Sequence, residues 1–183
     1  PPPPAPGRDS RVEAAVDGSA TVGFDAESFM ARHGVAMEEI RGLLRGVDKR
    51  EPHFDCFGLH EWAMVYRTDR PRHNLPLRLG RAGTDAVVES HQLKCTHYDA
   101  FRFFTKPARP LNLTVLTREG QADNDRAGCV HVAMDLYKWA TKLGPAVPGE
   151  LLLDTFALAR QARKLDMEAS PYDCRELGFG VVP

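Results

Sequence analysis

The chain lacks any apolar run near the ~18 residues that a membrane-spanning helix needs, and it has no signal-peptide core, so no membrane partner is expected. It also lacks a dominant charge. Its 24 Lys and Arg against 25 Asp and Glu leave a formal net charge of −1 and a pI near 6.8. Nucleic acid is therefore a partner that charge does not favour. Cysteine is sparse: Cys56, Cys95, Cys129 and Cys174 each lie more than 30 residues from the next. That spacing excludes both a small disulfide framework and a paired Cys-x-x-Cys zinc ribbon. Reduced thiols are expected, in an intracellular compartment (the cytoplasm, or an organelle after transit-peptide removal). There is no Walker loop, dinucleotide glycine fingerprint, Gly-x-Ser-x-Gly elbow or helix-hairpin-helix with its catalytic Asp. An initiator Met is missing and the sequence stops at Val181, Val182 and Pro183 without a closing helix, so a fragment or processed product, truncated at its C-terminus, is expected.

Among 183 residues, 43% are hydrophobic and 27% charged, enough to bury one ordinary core. Pro1 to Pro6 opens a Pro-rich segment, so residues 1–21 read as a disordered tail or linker and 22–183 as a single globular domain. Asp25 is a plausible N-cap for an amphipathic helix over 26–46, with Gly34 as a potential break. Residues 58–67 predict a short buried helix. Leu75, Leu77 and Leu79 alternate as an edge strand beside Pro76. Read as a strand from Val87, the residues Glu89, His91, Leu93, Cys95 and His97 share a face with it. Residues 98–104 lean helical. Helices are predicted over 130–143, with Val130, Met134, Tyr137 and Ala140 on one stripe, and over 151–167, with Leu152, Phe156, Ala159 and Leu165 as the buried side. The fold class expected is α+β, predominantly helical, with a small β-sheet around residues 75–95.

The chemistry-bearing residues fall in the same stretches. His60 and Glu61 sit inside an apolar run, so one of them must face the core or a cleft; Met64 in the fifth position excludes the zincin motif. His131 and Asp135, at i and i+4, project from one helix face and suit two ligands of one metal, or a carboxylate orienting an imidazole. Glu89, His91 and His97 would add ligands from the predicted strand. Asp99, next in sequence to several aromatics, is the first choice as general acid or base, because desolvation raises a carboxyl pKa. Asp166 is read as a surface residue pairing with Arg163 or Lys164. The two Cys-x-His pairs, Cys95 with His97 and Cys129 with His131, match structural zinc spacing poorly. Arg102, Lys106 and Arg109, interleaved with Phe103 and Phe104, read as a solvated edge.

At FGLHEWAMVYR, PLRLGRAGTDAVVESH, CTHYDAFRFFT, CVHVAMDLYKWA and LDMEASPYD the chain resembles a mainly actinobacterial family of uncharacterised proteins automatically labelled 3-methyladenine DNA glycosylase. The resemblance runs from about Phe54 to Pro183 and implies further helices at both ends. His60, Glu61, Glu89, His91, His97, Asp99, His131 and Asp135 all fall on its motif blocks, while His33, His53 and His73 do not. Three functional expectations follow. The first is a metal-dependent enzyme doing hydrolytic or oxidative chemistry on a small substrate. Its divalent Zn, Fe or Mn would be held by some of His60, Glu89, His91, His97, His131 and Asp135, with Glu61 or Asp99 as catalytic base. The second, implied by the family label, is a base-excision enzyme stacking a flipped base on Trp62, Phe101 or Phe103. The third is a non-catalytic subunit of a larger assembly.

Overall fold

Residues 9–14 and 20–183 are described in a computed structural model of the chain. Most of the tail expected over residues 1–21 lies outside them. An antiparallel hairpin, β1 (Ser10–Ala14) and β2 (Ala20–Phe24), pairs Val12 with Val22. It leads into α1 (Ala26–Lys49), where the Asp25 carboxylate accepts the Ser28 amide at 3.0 Å and so caps the helix. Gly34 does not break α1. Then come α2 (Leu59–Ala63), α3 (Gly80–Ser90), α4 (Tyr98–Phe101), α5 (Gln121–Asn124), α6 (Val130–Leu143) and α7 (Gly149–Ala169). The chain is predominantly helical with one small sheet, and among the described residues no helix is long and apolar enough to cross a membrane.

The sheet is not where the sequence pattern put it. Residues 75–95 hold α3 and two isolated bridges, Leu77 to Tyr172 and Leu93 to Asn112. The adjacent Val87 and Val88 favour a strand, but Thr84 and Val88, four residues apart, bury one face of α3 completely. Helical burial overrides β propensity here, and the Thr84 hydroxyl donates back to Gly80 O at 2.7 Å. Period-two alternation survives only past the helix. Leu93, Cys95 and His97 are buried on an extended segment whose strand partner is largely replaced by one side chain. The Asn112 amide donates to Cys95 O at 2.9 Å and accepts the Cys95 amide at 2.8 Å.

Leu59, Trp62, Tyr66, Val88, Leu93, Phe101 and Phe104 belong to the main core. A smaller cluster gathers Val65, Tyr172 and Cys174. α6 and α7, joined by residues 144–148, form a helical hairpin. Ala140 and Ala162 are buried, and the Tyr137 and Phe156 rings meet at 5.2 Å. The buried side of α7 is Ala162, Asp166 and Ala169, not the expected one: Phe156 and Leu165 are 43% and 49% exposed. Because the two helices run back along each other, the start of α6 faces the end of α7.

α2 approaches that junction closely. Trp62 Nε1 donates to Ala169 O at 2.9 Å. Gly58, at φ +76°, is the residue that permits it: a Cβ there would lie 2.7 Å from Ala169 Cβ. Gly80 also has positive φ, at +61°, but no atom crowds it. Gly58→Ala is therefore expected to cost about 2–4 kcal/mol in urea denaturation, against about 1 kcal/mol for Gly80→Ala. Equal costs would contradict the close packing of α2 on α7.

Candidate metal centre

The three elements that meet at this junction bring four ligand-type groups together. α2 supplies His60 and Glu61, α6 supplies His131 and α7 supplies Asp166. One ligand atom from each lies within 4.8 Å of all the others. His60 is buried, and its Nε2 lies 2.8 Å from Asp166 Oδ1 and 3.9 Å from Glu61 Oε1. Its Nδ1 lies 3.1 Å from Cys56 Sγ. The His131 ring packs edge-on to His60, with centroids 4.6 Å apart, and its buried Nδ1 makes no hydrogen bond among the described residues. The other Asp166 oxygen accepts from Arg163 at 2.8 Å.

The charges are set by burial working against these contacts. Burial alone would lower the His60 pKa, but the hydrogen bonds to Asp166 and Cys56 outweigh it and raise the value to about 10. Burial and the His60 charge push His131 down to about 3, so it is a neutral imidazole with a free lone pair at neutral pH. Burial, reinforced by Asp166, raises the Glu61 carboxyl. For Asp166 burial acts upward, and the bond to His60 reverses it. Cys56 likewise ends below the ordinary thiol value, because His60 outweighs its burial. Burial pushes the Cys129 thiol up to about 12 and Cys95 well above its ordinary range.

A second layer stands behind His131. The His97 ring stacks on it at 5.2 Å, and His97 Nε2 lies 3.2 Å from Asp135 Oδ2. Asp135 therefore orients His97 and not His131, its neighbour one turn away. Lys138 Nζ completes the chain 2.6 Å from Asp135. His97 Nδ1, Thr96 Oγ1 and Asp125 Oδ1 are also buried without a hydrogen bond among the described residues.

Other expected site residues lie elsewhere. Glu89 projects from α3 to solvent, held by Tyr66 Oη at 3.0 Å and Arg67 at 2.6 Å. His91 is exposed at the end of α3, its Nδ1 2.8 Å from Val87 O. Neither joins the cluster, because the strand that would have aligned them with His97 is a helix. Asp99 is half-buried and pairs with Arg102 at 3.1 Å and Lys138 at 3.6 Å, away from the aromatic wall its sequence neighbours suggested. Trp62 and Phe101 are buried in the core, and Phe103 lies between the guanidinium groups of Arg72 and Arg102. Asp166, read as a surface acid, is 1% exposed and belongs to the cluster. The helical spacing of Ala162, Asp166 and Ala169 puts Asp166 on a face of small residues, a signal for burial but not for its partner.

No protein-family model, curated protein or solved structure matches the chain.

Thiol, imidazole and carboxylate stand in line as Cys56, His60 and Asp166, and two carboxylates and two imidazoles converge at their centre. Asp166→Ala would leave the buried His60 charge uncompensated. It is expected to cost about 3–5 kcal/mol, against about 1 kcal/mol or less for Glu89→Ala on the surface. Thermal unfolding of both variants checks this, and a mild effect at Asp166 would contradict the buried pairing.

Proposed function

We propose that the protein is a metal-dependent enzyme whose divalent transition ion is held by His60, His131 and Asp166. The observation that carries this reading is the convergence of the four ligand atoms, with a buried, neutral His131 whose Nδ1 has no hydrogen-bond partner among the described residues. Two imidazoles with carboxylates suit zinc, iron or manganese. Three protein ligands would leave a coordination position open, and a bound ion supplies Lewis acidity there.

The protein's own groups divide the remaining work. Glu61, with its raised pKa, is the base that accepts a proton from a water in the adjoining cavity. That cavity, about 110 Å³, is lined by Glu61, Asp166, His73, Arg163 and Tyr172 among others. It admits a water and a small polar group and gives the substrate one route to the carboxylates. On binding, His60 Nε2 and Asp166 would give up their mutual hydrogen bond for the ion, and Cys56 would hold His60 Nδ1. The chemistry is hydrolytic, or oxidative if the ion is iron or manganese.

The ion must displace the proton that His60 carries below about pH 10. Zinc affinity should therefore rise as pH rises through the neutral range, by about tenfold per unit for one displaced proton. Titration calorimetry on chelator-stripped protein should find one site. His131→Asn should weaken it by more than about 100-fold, while Glu89→Ala and His91→Ala leave it unchanged. No saturable zinc binding, or an equal loss in the His91 variant, would overturn the reading.

A second reading has its own observation, the in-line Cys56, His60 and Asp166. We propose as the alternative a cysteine nucleophile: the Cys56 thiolate attacks an electrophilic carbon and His60 protonates the leaving group. With limiting iodoacetamide at pH 6, mass spectrometry should find Cys56 alkylated ahead of Cys95 and Cys129. Indiscriminate alkylation, or Cys56 lagging, would remove the alternative.

A further inference from the structure

A groove of about 780 Å³ opens on the other side of α2. Leu59 and Trp62, one turn apart, face it, while Glu61 between them faces the small cavity of the metal centre. None of the four centre residues lines the groove. Its size falls in the range of small-molecule sites, roughly 300–1,000 Å³. Phe57, Leu79 and Val87 make much of the wall, with Phe57 77% and Leu79 54% exposed.

The ionisable side chains on this wall are Arg78, Arg175 and His91, and no Asp or Glu lines it. In a chain of net charge −1 that is a local cationic field in apolar surroundings. Arg175 is already neutralised by Asp173, at 2.8 Å from Nε and 2.5 Å from an amino group. Arg78 makes no ion pair among the described residues, and the same Asp173 acts on it only from a longer distance. Its guanidinium stands 5.2 Å over the Trp62 ring and donates once, to Val182 O at 2.9 Å. Its Nε is buried without a hydrogen bond. That Nε is closed off from the groove, but Nη2 is not enclosed and makes no hydrogen bond among the described residues, and a planar carboxylate is the acceptor that matches it.

We infer that this groove binds an apolar molecule bearing a single carboxylate, with its head on Arg78 and its body along Trp62, Leu79, Val87 and Phe57. Two guanidinium groups sharing the one Asp173 carboxylate leave a single positive charge, which suits a monoanion, and the apolar walls select against phosphates and polyanions. The ligand class is therefore an aliphatic or aryl monocarboxylate, and binding is independent of the metal centre.

The test uses calorimetric titration of the full chain with decanoate and with its neutral isostere, decanamide. Decanoate should bind with one-to-one stoichiometry, about tenfold or more tighter than decanamide, the preference expected of a charge-assisted hydrogen bond in place of a neutral one. Arg78→Met should abolish that preference while leaving decanamide affinity within about twofold, a result that lost folding could not produce. Leu79→Asp, at an exposed helix-capping position that tolerates Asp, should weaken decanoate most. Equal affinity for the two ligands, an intact preference in Arg78→Met, or no saturable binding to folded wild-type protein would each overturn the inference.

Discussion

The buried hydrogen bond between His60 and Asp166 is the interaction on which the junction of α2, α6 and α7 depends. Two ionisable groups removed from water would cost several kcal/mol each if left alone, so the fold must bring them together accurately or not at all. Several otherwise unrelated features serve that requirement. Gly58 takes a left-handed conformation so that α2 can lie against Ala169. Trp62 ties the same two elements through its indole N–H. Cys56 completes the His60 ring, and Arg163 balances the second oxygen of Asp166 from the solvent side. Each is a local departure from ordinary packing that has a common cause.

The same pair also sets the electrostatics around it. Burial, with a positive His60 beside it, keeps His131 neutral, and burial with the Asp166 charge raises Glu61. Groups of like chemistry thus take different protonation states within a few ångströms, which is the condition for one to ligate, one to orient and one to move a proton. His97 with Asp135 and Lys138 braces His131 from behind, as outer groups do in metal sites. On the far face of α2 the balance is opposite in kind: an apolar groove with an arginine that makes no ion pair among the described residues.

The helices were readable where the 3.6-residue period was long. The expected ranges for α1, α6 and α7 match within a few residues, and the Asp25 cap is present. His60, Glu61 and His131 were singled out from their apolar surroundings, and all three meet in space. Over residues 84–97 the pattern misled. Val87 and Val88 favour a strand locally, and only tertiary burial of Thr84 and Val88 makes the segment helical, which sends Glu89 and His91 to solvent. Asp166 was hidden differently. Arg163 at i−3 gives the signature of a surface ion pair, and that pair exists, but it uses only one of the two carboxylate oxygens. Which element covers the other oxygen is decided by residues more than a hundred positions away, at His60, and no local pattern carries that information.

In the proposed centre imidazole and carboxylate, not thiol, would hold the ion, although Cys56 lies beside His60. X-ray absorption at the zinc edge of the one-equivalent complex addresses that claim directly. Ligation by His60, His131 and Asp166 would give a first shell of nitrogen and oxygen at about 2.0–2.2 Å, with multiple scattering from two imidazoles. A sulfur shell at about 2.3 Å would contradict it and move the centre to the cysteines.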